Sequence, residues 1–173
     1  MNRVITKSPE VCSGCHYCEI ACSLEHIHAV NPKKSRVKVV EIHEHAITYP
    51  LICRQCEKPA CKEICKVNAF YSDEKTGVLK IDFDKCIGCG YCLEACPFGA
   101  IQWDYEAKVP LKCDLCDGDP KCVKYCAPQV LSFENEEYQK ARRESIVLDI
   151  VKKKYGSVEN LHKKYASIYE WKK

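Results

Sequence analysis

Sixteen cysteines constrain the fold and chemistry of this 173-residue chain more than any other feature. They form four groups with none left over: Cys12, Cys15, Cys18 and Cys22; Cys53, Cys56, Cys61 and Cys65; Cys86, Cys89, Cys92 and Cys96; Cys113, Cys116, Cys122 and Cys126. Each group begins with Cys-x2-Cys and ends with Cys-x3-Cys. The middle spacing is two residues in the first and third groups, four in the second and five in the fourth.

This spacing is typical of ligands to iron–sulfur clusters. The third group matches the bacterial ferredoxin run completely, including Pro97 after Cys96. In that run three closely spaced thiolates bind one cluster, while the fourth cysteine binds a different cluster. We expect the fourth cysteine to begin a short helix. Four complete groups therefore predict four 4Fe–4S clusters.

Disulfides and structural zinc are the alternatives to clusters. Residues 1–6 have no apolar signal-peptide core, and no apolar run approaches the length of a membrane span. We therefore expect a cytoplasmic chain without direct membrane insertion, in which thiols bind metal more often than they form disulfides. Zinc ribbons also use Cys-x2-Cys pairs, so a zinc-stabilised interaction module without a redox role remains open. A zinc ribbon, however, needs only two such pairs. It does not require the third and fourth cysteines that follow each pair here as Cys-x3-Cys.

An internal repeat indicates a duplicated fold. The first and third groups share three further residues: Gly14 and Gly88, Tyr17 and Tyr91, Ala21 and Ala95. Pro59 and Pro120 each lie two residues before the third cysteine of the lengthened groups, where proline favours an extended loop. We interpret the glycines as places where a side chain would collide with cluster sulfide. The sequence predicts an α+β, duplicated bacterial-type (2×4Fe–4S) ferredoxin fold with short β-hairpins.

The segments between and after the groups predict a small framework. Residues 36–52 alternate as a hairpin, and residues 78–82 predict a strand with residues 100–103 as its antiparallel partner. A four-cluster domain is predicted for residues 1–133. A C-terminal helical extension is predicted for residues 134–173, whose apolar helix faces either cover the body or dock a partner.

Charge and histidines give weaker indications. The formal net charge is +3, and four oxidised clusters with their thiolates would add about −8, so basicity does not indicate nucleic-acid binding. His16 lies inside the first group, where it is expected to hydrogen-bond near its cluster and tune the reduction potential. The other histidines are interpreted as surface residues or neighbours of ligands.

The cysteine groups, over residues 3–133, resemble the four-cluster electron-transfer subunits of molybdenum and tungsten oxidoreductases, of the dimethyl-sulfoxide-reductase B-subunit type. Residues 12–26 and 112–123 are most similar to the small iron–sulfur partners of tungsten aldehyde oxidoreductases and of benzoyl-coenzyme A reductase complexes. Lys66 and Ala127 stand where that family usually has a proline. The same four-motif plan serves hydrogenase, formate and carbon-monoxide dehydrogenase complexes, and these remain as alternatives.

The resemblance implies a subunit that relays single electrons through four 4Fe–4S clusters and has no catalytic activity alone. Its partners would be a catalytic tungsten- or molybdenum-pterin subunit and an electron acceptor, either a flavin subunit or a ferredoxin. No nucleophile–base set, phosphate-binding loop or nicotinamide fingerprint occurs in the sequence, so no catalytic residue is predicted.

The resemblance also implies nested ligand sets, in which the fourth cysteine of each group serves the paired group. The sets are Cys12, Cys15, Cys18 and Cys126; Cys53, Cys56, Cys61 and Cys96; Cys86, Cys89, Cys92 and Cys65; Cys113, Cys116, Cys122 and Cys22.

Metal analysis tests the number and kind of centres. Anaerobically purified protein should contain about 16 iron and about 16 sulfide per chain and essentially no zinc, because four complete ligand sets are present. Stoichiometric zinc with little iron after careful reconstitution would contradict the iron–sulfur interpretation.

Overall fold

The structure is a computed structural model that describes residues 2–7, 11–45 and 47–135. The chain divides into two compact units, residues 1–134 and residues 135–173. Apart from Asn135, all described residues belong to the first unit. The predicted helices of the C-terminal extension lie outside the described residues.

Short strands and helices alternate along the described chain. The strands are β1 (Asn2–Thr6), β2 (Lys38–Ile42), β3 (Ile47–Leu51), β4 (Phe70–Ser72), β5 (Leu79–Ile81), β6 (Gln102–Asp104), β7 (Val109–Leu111) and β8 (Leu131–Asn135). The α-helices are α1 (Tyr17–Ile27), α2 (Ala60–Glu63), α3 (Tyr91–Glu94) and α4 (Lys121–Lys124). Turns of 3-10 helix span Pro32–Lys34, His43–His45 and Leu115–Gly118. This mixture of helices and small sheets agrees with the predicted α+β class.

The described strands pair two by two. β2 with β3, β4 with β5, and β6 with β7 form antiparallel hairpins, while β1 pairs with β8 near the two ends of the body. The hairpin predicted for residues 36–52 is confirmed as β2 and β3, with Val40 opposite Tyr49 in the register. A two-stranded hairpin is marginal by itself, so each must be supported by its neighbours.

The predicted partner of β5 is wrong. β5 pairs with β4, whereas residues 102–104 form β6 and pair with β7. Both hairpins are closed by an aspartate: Asp73 Oδ1 accepts the N–H of Thr76 at 2.9 Å, and Asp104 Oδ1 accepts the N–H of Ala107 at 3.1 Å. An aspartate that closes its own turn makes the local hairpin favourable. Each strand therefore pairs with its neighbour in sequence.

One-turn helices carry the third cysteine of the last three groups. α2, α3 and α4 each contain the third cysteine and end before the fourth, so the prediction that the fourth cysteine begins a helix is wrong. Pro59 (φ −83°) and Pro120 (φ −64°) precede α2 and α4 in extended backbone, as predicted. The first group differs, because α1 continues for 11 residues and contains both Cys18 and Cys22.

The core consists of two hydrophobic clusters in which cysteines take part. The larger cluster contains Val4, Val37, Val39, Ile52, Val78, Leu115 and Leu131 together with Cys18, Cys22 and Cys122. The smaller contains Phe70, Leu79 and Ile101 together with Cys92. Thiols are therefore part of the packed interior. Within the described residues, no helix is long and apolar enough to cross a membrane.

Candidate iron–sulfur sites

The fold brings the cysteine groups together in two pairs. α1 packs against α4, and α2 packs against α3. The larger hydrophobic cluster holds cysteines of the first and fourth groups, and the smaller holds cysteines of the second and third groups. This packing is what a nested arrangement of ligands requires.

A single cavity is lined by thiols of the first and fourth groups. Its four cysteines are Cys12, Cys15, Cys18 and Cys126. The other lining residues are apolar except for His16, and they include Val39 and Leu131. Burial raises the pKa of Cys18 to about 12, and the neighbouring Cys15 and Cys126 add to the rise. Three sulfurs from one group and one from another therefore converge on an apolar cavity.

Cys96 lies near thiols of the second group. Burial is the main cause of the raised pKa of Cys56, and it raises the pKa of Cys61 to about 11. In both cases Cys53 and Cys96 add to the rise through their negative charge. The second group thus has the fourth cysteine of the third group within electrostatic range.

The third group lies against the second. Burial raises the pKa of Cys92 to about 11, and Cys61, Cys86 and Cys89 add to the rise. Cys65 packs on the same hydrophobic cluster as Cys92. Thiols of both groups therefore surround one small region of the core.

Cys22 lies near three thiols of the fourth group. Burial raises the pKa of Cys116 to about 11 and also raises the pKa values of Cys113 and Cys122 well above their usual range, and Cys22 adds to each rise. Cys53 of the second group also raises the pKa of Cys113. The two pairs of groups therefore approach each other at Cys53 and Cys113.

The state of these cysteines fits thiolate ligation of metal. All sixteen are free, so the structure contradicts a disulfide framework. Burial favours the neutral thiol, whereas a metal centre would take each sulfur as a thiolate. Backbone N–H groups already point at several sulfurs: Ala69 donates to Cys65 Sγ at 3.3 Å, and Ala100 donates to Cys96 Sγ at 3.4 Å. Such donors stabilise the thiolate form, so the donor sets fit iron–sulfur clusters.

A left-handed backbone residue precedes the second cysteine of every group. These residues are Gly14 (φ 65°), Gln55 (φ 45°), Gly88 (φ 65°) and Leu115 (φ 61°). The side chains of Gln55 and Leu115 are buried in the protein at this position. The fold therefore accepts a side chain at this position in the second and fourth groups, and the collision expected at Gly14 and Gly88 stays a prediction. Glycine suits the position because it adopts positive φ without strain.

His16 forms hydrogen bonds beside the cavity of the first group, as predicted. Its Nδ1 is 3.0 Å from Glu19 Oε2, and its Nε2 is 3.1 Å from Glu41 Oε1. The hydrogen bond to Glu19 is the main cause of the raised pKa of His16, and the hydrogen bond to Glu41 also raises this pKa. His16 lines the cavity of the first group, but both ring nitrogens are engaged by carboxylates. These hydrogen bonds therefore run to carboxylates, and the expected effect of His16 on the reduction potential stays a prediction.

His26 lies beside a cysteine of the fourth group. From the sequence we expected only that the histidines other than His16 lie at the surface or next to ligands. Its Nε2 lies 4.0 Å from Cys116 Sγ and 3.5 Å from Asp114 Oδ1. These three side chains are the one described trio of metal-ligand type whose ligand atoms lie within 4.8 Å of one another. Because Cys116 belongs to the fourth cysteine group, we interpret His26 as a neighbour of that group. Nothing in the sequence indicates a contact between residues 90 positions apart.

Comparison with known proteins identifies the family. The 4Fe-4S dicluster domain matches residues 44–136, more than half of the chain. The chain is 42% identical over 119 residues to the "Aliphatic sulfonate oxidoreductase, polyferredoxin-like subunit" of Pyrococcus furiosus, covering 69% of this chain and 68% of the relative. It is 34% identical over 155 residues to the "Putative electron transport protein YsaA" of Escherichia coli, covering 82% of this chain and 96% of the relative.

Two further likenesses complete the comparison. The chain is 36% identical over 119 residues to the "Formate dehydrogenase iron-sulfur subunit" of Wolinella succinogenes, covering 64% of this chain and 58% of the relative. A chain of the "Active site complex BamBC of Benzoyl Coenzyme A reductase in complex with Zinc" is 26% identical, with a TM-score of 0.46, covering 85% of this chain and 90% of that chain. That TM-score is too low for a residue-by-residue comparison.

The chain belongs to the 4Fe-4S dicluster domain family. Its ferredoxin-like fold follows from that membership. The three relatives are named as polyferredoxin-like, iron–sulfur or electron-transport proteins, and two of them are named as subunits of an oxidoreductase or dehydrogenase. This agrees with the prediction that the chain has no catalytic activity alone.

A matched pair of glycine variants tests the geometry of the ligand loops. A Cβ on Gly88 would lie 2.4 Å from the backbone oxygen of Lys108, whereas a Cβ on Gly90 would meet nothing within 4 Å. Both residues have positive φ, so alanine costs about 1 kcal/mol of strain at each. Gly88→Ala should cost about 1–3 kcal/mol more, because backbone must move. Anaerobic thermal unfolding and iron content measure the difference, and equal losses in both variants would contradict this account.

Proposed function

We propose that this chain is a four-cluster electron-transfer subunit that relays single electrons between a catalytic oxidoreductase subunit and an acceptor. One observation carries the proposal: sixteen free thiols converge as two packed pairs of ferredoxin-type groups. A 4Fe–4S cluster in each set would supply one-electron chemistry, and the protein would supply position, burial and hydrogen bonds to sulfur. The repeated groups and loops support a duplicated two-cluster ferredoxin as the body.

We propose that the cysteines bind the clusters in nested sets. The first set is Cys12, Cys15, Cys18 and Cys126; the second is Cys53, Cys56, Cys61 and Cys96; the third is Cys86, Cys89, Cys92 and Cys65; the fourth is Cys113, Cys116, Cys122 and Cys22. The common cavity supports the first set. The electrostatic neighbours of the thiols support the second and fourth sets, and the shared packing of Cys65 and Cys92 supports the third.

The arrangement of the sets favours a linear relay. The second and third sets adjoin, the first and fourth adjoin, and Cys53 lies near Cys113 between the pairs. The order is therefore third, second, fourth, first. Two cysteines are exposed, Cys89 in the third set and Cys15 in the first. The exposed thiols thus belong to the two ends of the order, where partners would approach.

The catalytic partner is proposed to be a tungsten- or molybdenum-pterin subunit of the aldehyde-oxidoreductase type, in the cytoplasm, with a flavin subunit or ferredoxin as acceptor. The sequence similarity of residues 12–26 and 112–123 to the small subunits of such enzymes supports this choice. A formate dehydrogenase or hydrogenase complex is the second candidate, favoured by the relative named as a formate dehydrogenase iron–sulfur subunit.

Cysteine variants test the nested sets. Cys96→Ser should perturb the same centre as Cys53→Ser, because the fourth cysteine of each group serves the paired group. Cys89→Ser should perturb a different centre. Electron paramagnetic resonance of the reduced proteins distinguishes these signals. If Cys96→Ser and Cys89→Ser disturbed one and the same centre, the nested sets would be wrong.

Native purification tests the partner. Tagged protein expressed in its own host and isolated without oxygen should co-purify with a larger subunit that contains pterin-bound tungsten or molybdenum. The isolated chain should accept electrons from a low-potential reductant and turn over no aldehyde. Co-purification with a nickel- or formate-dependent enzyme would favour the second candidate. A colourless, redox-inactive protein would overturn the electron-transfer proposal itself.

A further inference from the structure

A buried lysine lies where the two pairs of cysteine groups meet. Lys112 immediately precedes Cys113 and is only 5% exposed. Its Nζ donates to three oxygens: Gln55 Oε1 at 3.2 Å, Leu79 O at 2.5 Å and Cys113 O at 3.2 Å. Three acceptors around one nitrogen match the three N–H donors of an ammonium group. The geometry therefore indicates a charged lysine inside the protein.

Gln55 fixes this lysine between the second and fourth groups. Gln55 precedes Cys56 and is 3% exposed, and its Nε2 donates to Cys113 O at 2.7 Å. Its Oε1 accepts from the backbone N–H of Leu79 at 3.2 Å as well as from Lys112. The network thus joins the two loops that bring Cys53 close to Cys113. All three oxygens that accept from the ammonium group are neutral.

No carboxylate pairs with Lys112 in the part of the chain that the structure describes, whereas Lys80 has two aspartate partners. A buried charge without a counter-charge is costly. Lys112 Nζ donates to the backbone oxygen of Cys113 and to the side chain of Gln55, the residue before Cys56, and thiolate ligands at these two cysteines would supply the missing negative charge. These two cysteines belong to the second and fourth proposed sets.

We propose that Lys112 is a tuning residue that raises the reduction potentials of the centres held by the second and fourth sets. The proposal rests on the proposed electron-transfer function and adds a residue that binds no iron. A fixed positive charge favours the more negative, reduced form of a nearby centre, and low dielectric strengthens that effect. The positive charge of Lys112 would therefore stabilise an electron on the two centres at which the two pairs of cysteine groups meet. A charged side chain beside a cysteine is usually solvated, so the sequence alone did not single this one out.

Redox titration of Lys112→Met tests the proposal. With anaerobically reconstituted protein monitored by electron paramagnetic resonance, two of the midpoint potentials should fall. The expected change is about tenfold in the reduction equilibrium, which is about 59 mV for a one-electron couple. The centres disturbed by Cys53→Ser and by Cys116→Ser should be those that shift. Lys112→Arg keeps the positive charge, so its midpoint potentials should stay close to those of the parent protein.

Lys85 offers a matched control. It immediately precedes Cys86, as Lys112 precedes Cys113, but its side chain is 63% exposed and pairs with Asp82 at 2.7 Å. Solvent screens exposed charges, so Lys85→Met should leave all midpoints unchanged within error. An equal shift in both methionine variants would mean that any lysine beside a group has the effect. That result would overturn the special role of the buried position.

The outcomes separate this proposal from the proposed function. If Lys112→Met keeps full iron and all midpoints are unchanged, the tuning role is wrong while the electron-transfer function stands. If the parent protein has no reducible centres, the proposed function fails first. Should Lys112→Met lose iron, Lys112→Gln retains N–H donors without charge and is titrated instead. Iron loss in both neutral variants with retention in Lys112→Arg would support a requirement for charge. Iron loss in all three would make Lys112 a structural residue only and overturn the proposal.

Discussion

Holding sixteen thiols close together without disulfides is the constraint on which the rest of this protein depends. The described strands are three to five residues long and pair only two by two, which is too little for a stable sheet. Both hydrophobic clusters include cysteines, so the interior is completed by the sites themselves. Metal binding would then contribute directly to the free energy of folding. The helices and hairpins act as spacers that set where each sulfur lies.

The sequence predicted the parts of this fold that depend on local pattern. Cysteine spacing gave the groups, and the alternation in residues 36–52 gave β2 and β3. It failed where a turn or a distant contact decided the outcome. The predicted partner of β5 was wrong because Asp73 closes the turn between β4 and β5, and these two strands pair with each other. Nothing in the cysteine spacing indicated that Gln55 and Leu115 adopt the same left-handed backbone conformation as the two glycines. The surroundings of Lys112 depend on three segments that meet only in the folded chain.

The first and third groups have identical spacing but different structures, and the difference extends beyond the fourth cysteine. In the other three groups a left-handed residue follows three positions later: Asn68, Gly99 and Gln129. The corresponding residue of the first group, Glu25, lies within α1, so the helix continues. Glu19 then joins that longer helix to the β2 hairpin, because its buried Oε1 accepts the N–H of Val39 at 2.7 Å. Identical cysteine spacing is thus compatible with a one-turn helix in the third group and an 11-residue helix in the first.

The exposure of Cys15 and Cys89 has a consequence for durability in air. A protein partner needs a matching surface to reach these sulfurs, but dioxygen and peroxide need only an opening. Oxidative damage would therefore begin at both extremities of the proposed relay and advance inward, reaching the sulfurs around Lys112 last. A partly damaged molecule would keep its innermost centres yet lose every route by which electrons enter or leave. Such a molecule would still absorb visible light after it had lost electron transfer, so absorbance alone would overstate how much intact protein a sample contains.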